Sequence, residues 1–159
     1  MLKLFCYTLS HDVFCYTSIM PEKISITVEI LVSAPAAKVW ECWTLPVHIT
    51  KWNHASDDWH SPHATVDLKE GGRFTIRMKA KDGSVGFDFG GTYSKVVPEK
   101  HIAYSIDGDG RSVTVHFEVK GSSVQITETF DAETENPIDM QRQGWQAILE
   151  NFKRYVESQ

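Results

Sequence analysis

No stretch of this chain stays apolar long enough to cross a bilayer as a helix, which takes about 20 consecutive residues. Cysteine is scarce: Cys6, Cys15 and Cys42 are an odd set without metal-like spacing, which argues against a disulfide framework. Positive charge is short as well. The 16 Lys and Arg face 21 Asp and Glu, a formal net charge of −5 at pH 7, so the basic footprint of a nucleic-acid binder is missing. There is no dinucleotide fingerprint, no Ser-His-Asp order and no paired metal motif. Gly71-Gly72 and Gly90-Gly91 precede no helix that could hold a phosphate, and are read as turn or bulge chemistry. These absences point to a reduced, cytoplasmic protein with no membrane span, nucleic-acid partner, metal or cofactor.

What is present is ordinary in bulk and unusual in detail. The length of 159 residues fits one domain with a sizeable core. Residues 1–19 look foreign to the rest. FCYT occurs twice, at 5–8 and 14–17, with no amphipathic period, no downstream partner and no signal-peptide layout. They are read as an extension outside the fold, with the domain spanning 20–159 and Met20 as its start. Beyond it, Trp40, Trp43 and Trp52 crowd the stretch PAAKVWECWTLPVHITKW, and Trp59 follows. Indole at that density is either core or the wall of an apolar site.

The pattern becomes regular at Ile24. ISITVEILV alternates, with Ile24, Ile26, Val28 and Ile30 on one face, a strand. Pro35 suits the first turn of a helix that places Val39, Trp40 and Trp43 on one face. Leu45-Pro46 ends it and starts a second short helix through Ile49 and Trp52. NHASDDWHSPH reads as a loop. Strands follow between turn residues: ATVDL, RFTIRMKA with Phe74, Ile76 and Met78 aligned, then VGFDFGGTYSKVV with glycines that suggest a bulge. HIAYSI aligns Ile102, Tyr104 and Ile106. SVTVHFEV aligns Val113, Val115, Phe117 and Val119, and SVQITETF aligns Val124, Ile126, Glu128 and Phe130. Asn136 and Pro137 open a last helix. Its apolar stripe runs through Ile138, Gln141, Trp145, Ile148, Leu149, Phe152 and Val156. The layout is α+β: a curved antiparallel sheet of six to seven strands wrapped around one long C-terminal helix.

This order resembles the helix-grip superfamily (START-like, SRPBCC or Bet v-like). More narrowly it resembles small single-domain members of the family named for the activator of the ninety-kilodalton heat-shock chaperone's ATPase. The carriers are APAAKVWECWTLPVHITKW, VDLKEGGRF, GTYSKVVPEKHIAYS and GWQAILENFKRYVE, four phrases in order over roughly residues 24–157. The resemblance implies a cavity between the last helix and the concave sheet, opening near the second short helix and the loop after it. Trp40 and Trp43 then read as core, while Trp52 and Trp59 flank the mouth and Trp145 faces the sheet. Candidate ligand-binding residues are Trp52 and Trp59 at the mouth, and Phe74, Ile76, Phe87 and Phe89 on the middle strands. Tyr104, Phe117 and Glu128 on the later strands complete the set, with Trp145 and Leu149 on the helix.

Glu128 is the pointed polar residue, because its strand turns it inward, where an isolated carboxylate is costly and gains a partner or a raised pKa. Gln141 and Arg142 are candidate partners for it. His54, Asp57, Asp58, His60 and His63 are ligand types, yet their spacing matches no metal signature and their setting is that of a solvated loop. His116 should face outward, and Cys42 reads as a small buried apolar group. Three functions remain. The first is binding of a small hydrophobic molecule (lipid-like, aromatic or polyketide-like). The second is an enzyme acting on such a ligand with Glu128 as acid or base. The third, not favoured, is regulation of a heat-shock chaperone ATPase. A homodimer stays open.

Overall fold

A computed structural model describes residues 3–9, 12–18 and 23–159. Strands β1 (Lys3–Leu9) and β2 (Asp12–Ser18) form a two-stranded antiparallel sheet, so the two FCYT copies lie across from each other with Cys6 opposite Cys15. Among the described residues neither strand joins the larger sheet. Met20 lies outside the described residues.

The main body begins at β3 (Ser25–Val32) and continues through α1 (Ala36–Thr44) and α2 (Pro46–Trp52). Then come β4 (Trp59–Val66), β5 (Arg73–Ala80), β6 (Gly86–Val97), β7 (His101–Ile106), β8 (Ser112–Lys120), β9 (Ser123–Asp131) and α3 (Ile138–Glu157). The sheet order is β3-β9-β8-β7-β6-β5-β4, every pair antiparallel. This is the expected α+β helix-grip layout, with seven strands in the sheet. β3 closes against β9, the last strand, with Val28 opposite Glu128 and Ile30 opposite Ile126.

The alternating strand patterns bury the residues they promise: Phe74, Ile76 and Met78, then Val113, Val115 and Phe117, then Val124, Ile126, Glu128 and Phe130. The helix stripe meets them with Leu149, Phe152 and Val156, all fully buried. α3 also covers the open edge of β3. Arg142 Nη1 donates to the Thr27 carbonyl and Gln146 Nε2 to the Glu29 carbonyl, each at 3.0 Å, which blocks the groups another strand would use.

Four local expectations are corrected. β4 starts at Trp59, inside the segment read as a loop. Its proline is tolerated because β4 is an edge strand, and the register shifts between His60 and His63 around Pro62. Pro35 and Pro137 do not sit in the first helical turn. Both are extended N-caps, at ψ 147° and 143°, whose carbonyls accept from Val39 and Gln141; the fixed proline φ suits either place. Asn136 is correspondingly not the cap. Ile24 and Val119, expected inward, are 58% and 60% exposed, Ile24 lying just before β3 and Val119 one residue from the end of β8.

The bulge expected at the double glycine lies just past it, while the glycine itself serves a close approach. Gly91 pairs with Phe74, and a Cβ there would run into the Ser105 carbonyl and the Phe74 ring. Just beyond, the β6–β7 register shifts between Tyr93 and Lys95. The curve lets Phe74, Tyr93 and Tyr104 gather, with ring centroids 4.9 to 6.3 Å apart.

Candidate functional site

Between the concave sheet and α3 lies a cavity of about 180 Å³. Phe74, Ile76 and Met78 of β5 and Phe87, Phe89 and Tyr93 of β6 form much of its sheet side, with Ile102 and Tyr104 of β7 and Glu128 of β9. Trp145 and Ile148 of α3 face them, and Val66 closes one side. Trp43, Ile49, Trp52 and Asn53 supply the remaining wall from the two short helices and the residue after them. Trp52 is held rigidly, its Nε1 donating to the Cys42 carbonyl at 3.0 Å and its ring 4.8 Å from that of Phe152.

Glu128 is 5% exposed and makes no hydrogen bond to a described residue. Burial alone pushes its pKa up to about 8, so the carboxyl is mainly neutral at pH 7. Neither proposed partner reaches it. Gln141 is occupied by the backbone of Glu133 and Asn136, and Arg142 by Thr27 on the strand edge. Tyr104 stands nearby, its hydroxyl pKa raised by burial and then by the Glu128 charge; burial raises that of Tyr93 as well.

The structure brings together eight of the residues singled out in the sequence: Trp52, Phe74, Ile76, Phe87, Phe89, Tyr104, Glu128 and Trp145. Three stand elsewhere. Trp59 is at the outer start of β4, its ring 5.9 Å from that of Phe87 but outside the lining. Phe117 packs edge-on against Trp40 and Trp43, at 5.5 and 5.4 Å. Leu149 is fully buried in the core, and Ile148, one residue earlier, takes the cavity-facing place. Trp43 is both core and wall, touching Phe152 at 4.9 Å while lining the cavity. Met78 and Ile102 belong to the same alternating sets as Phe74 and Tyr104, a signal that pointed to them. Tyr93 keeps the alternation of Phe87 and Phe89 across Gly91, because the register shift of β6 comes only after it, so the same period points to it as well.

The histidine-rich segment does something else. The His54 carbonyl accepts from Asn151 Nδ2 of α3 at 2.5 Å, and the Ser61 hydroxyl donates to the Asn53 carbonyl, tying the α2–β4 connection down. Burial, then Lys81, lowers the His54 pKa. Among the described residues no three His, Cys, Asp or Glu side chains gather where a metal ion could sit. His116 is exposed on the outer sheet face, beside His101. Cys42 is 3% exposed, and burial pushes its thiol pKa up. No described helix is long and apolar enough to cross a membrane.

The family model for Activator of Hsp90 ATPase homolog 1-like protein matches residues 33–157. The chain is 45% identical to the AHSA1-like protein from Aeromonas hydrophila, whose solution structure superposes with a TM-score of 0.80 over 85% of this chain and 93% of that one. It is 51% identical to Chr148 from Cytophaga hutchinsonii, with a TM-score of 0.73 over 84% and 92% of the two chains. NE0264 from Nitrosomonas europaea shares the fold at 17% identity, with a TM-score of 0.74 over 87% and 97%. No curated protein matches.

Proposed function

This chain belongs to the Activator of Hsp90 ATPase homolog 1-like family, and from that premise we propose that it binds a small hydrophobic molecule in the cavity between the sheet and α3. One observation supports the reading: an aromatic-walled space of about 180 Å³ holds a buried carboxyl, Glu128, without a hydrogen-bond partner among the described residues. A core evolved only for packing would fill the void or replace the unpaired carboxyl with an apolar group, since both cost stability. An apolar guest with one polar group would use both.

Native mass spectrometry of freshly purified protein, together with titration of single-ring and two-ring aromatic probes against indole emission, tests this. A co-purified small molecule or saturable quenching through Trp43, Trp52 and Trp145 is expected. Emission unmoved by every probe, with no bound molecule detected, would sink the reading.

The raised pKa of Glu128 beside Tyr104 favours one second reading. A carboxyl that exchanges its proton near neutral pH suits general acid or base work. Turnover of a bound ligand that Glu128→Gln abolishes while binding persists would establish that chemistry.

A further inference from the structure

The polar equipment of the cavity is one-sided. Its lining holds one carboxyl, two tyrosine hydroxyls, one asparagine amide and three indole N–H groups, of which that of Trp52 is taken by the Cys42 carbonyl, and no Lys, Arg or His. The rings of Trp43, Trp52, Phe74, Phe89, Tyr104 and Trp145 surround the same space. Aromatic faces carry negative quadrupole and attract cations, most strongly where water is excluded. Glu128 is buried, and among the described residues no cation pairs with it.

We propose that the guest is a small aromatic or alkyl amine, bound as its ammonium ion with the nitrogen at Glu128 and the hydrocarbon part among the rings. This rests on the reading of the cavity as a binding site and names the guest's chemical class. Size agrees: the space is about 180 Å³, a little larger than the roughly 150 Å³ of a dry apolar cavity that holds benzene. One ring with a short arm fills a space of that size. Charge agrees as well. A carboxylate or phosphate guest would be buried beside Glu128 with no cation in the lining, an uncompensated burial.

The proton balance follows. Without a guest, Glu128 is mainly protonated at pH 7. An arriving ammonium ion favours the carboxylate, so Glu128 releases its proton to solvent as the ion pair forms. The other titratable groups of the lining, Tyr104 beside Glu128 and Tyr93 beside Tyr104, have their pKa values raised by burial and stay protonated. The released proton therefore comes from Glu128, and the occupied site is neutral overall.

The test uses 2-phenylethylamine, 2-phenylethanol and 3-phenylpropanoate, which share a ring and an arm and differ in charge. Each is titrated by calorimetry at pH 7 in two buffers of different ionisation enthalpy, with indole emission followed in parallel. The amine should bind at least about tenfold more tightly than the alcohol, the carboxylate should bind weakest, and only the amine should release close to one proton. In Glu128→Gln the amine should lose its advantage and its proton release, while the alcohol still binds, which also shows that the variant folds. An alcohol that binds as tightly as the amine, or an amine whose advantage persists in Glu128→Gln, overturns the amine assignment and leaves the binding reading standing. If none of the three gives heat or moves the emission, the amine assignment falls, and the binding reading falls with it when native mass spectrometry also finds no bound molecule.

Discussion

The Trp145 indole lies flat on the Phe130 ring, with centroids 3.9 Å apart and planes 13° from parallel. Phe130 is fully buried on β9, two residues after Glu128, while Trp145 is half-buried and lines the cavity from α3. The stack thus fixes the helix against the sheet at the edge of the empty space.

Trp145→Ala should therefore cost about 3 kcal/mol in urea unfolding, at the low end for a large aromatic because the site already borders a void. Trp145→Phe keeps part of the stack and should cost less. A loss under about 1 kcal/mol for the alanine variant would mean that the stack does not hold α3 in place.

Glu128 makes a pH prediction of definite sign. Its pKa is about 8 in the fold and 4.5 for an ordinary glutamate. Below 4.5 both states carry the proton. Between the two values the unfolded chain has lost it and the fold keeps it, so stability falls as pH rises, and above about 8 the loss is complete. The full fall is on the order of 5 kcal/mol. Glu128→Gln should thus gain on the parent protein steadily from pH 4.5 to pH 8, with the two nearly equal at the acid end. His54 and His101, whose pKa values burial lowers, change stability in the opposite direction but equally in both proteins. Denaturant midpoints across that range decide it, and a gap that stays constant with pH would show Glu128 titrating like a free side chain.

Two glycines should respond oppositely to alanine. At Gly91 a Cβ meets the Ser105 carbonyl and the Phe74 ring, so Gly91→Ala should lose about 1–3 kcal/mol. At Gly144, within α3, nothing lies within 4 Å of the added atom, so Gly144→Ala should gain about 0.5–1 kcal/mol. Thermal melts of both variants provide the comparison; a gain at Gly91 would place the bend of β6 elsewhere.

Removing residues 1–19, so that the chain begins at Met20, takes away β1 and β2, which pair with each other and not with the seven-stranded sheet. The melting temperature should move by no more than a few degrees. A larger drop would mean that this segment contributes to the stability of the rest.

The amino-acid order alone determined which residues face inward over most of the sheet. A strand side chain alternates with period two whatever it later meets, so the inward direction of Phe74, Ile76, Val115, Ile126 and even Glu128 is legible from alternation alone. The helix stripe of α3 followed in the same way from its own period. What alternation does not contain is distance between elements. Glu128 and Arg142 were both visible, but only the tertiary arrangement sends Arg142 to the edge of β3 and leaves Glu128 alone. Leu149 and Ile148 are neighbours on one helix, and only the crossing of α3 over the curved sheet decides which faces the void. Trp59 and Phe117 carry the same kind of ring as Trp52 and Phe74, yet the edge position of β4 and the seat of α1 on β8 keep them out of the lining. Local periodicity is a property of the backbone and is written in the sequence. Which buried side chain finds a partner, and which is left facing empty space, depends on sheet curvature and helix placement, and these arise when all the elements pack at once.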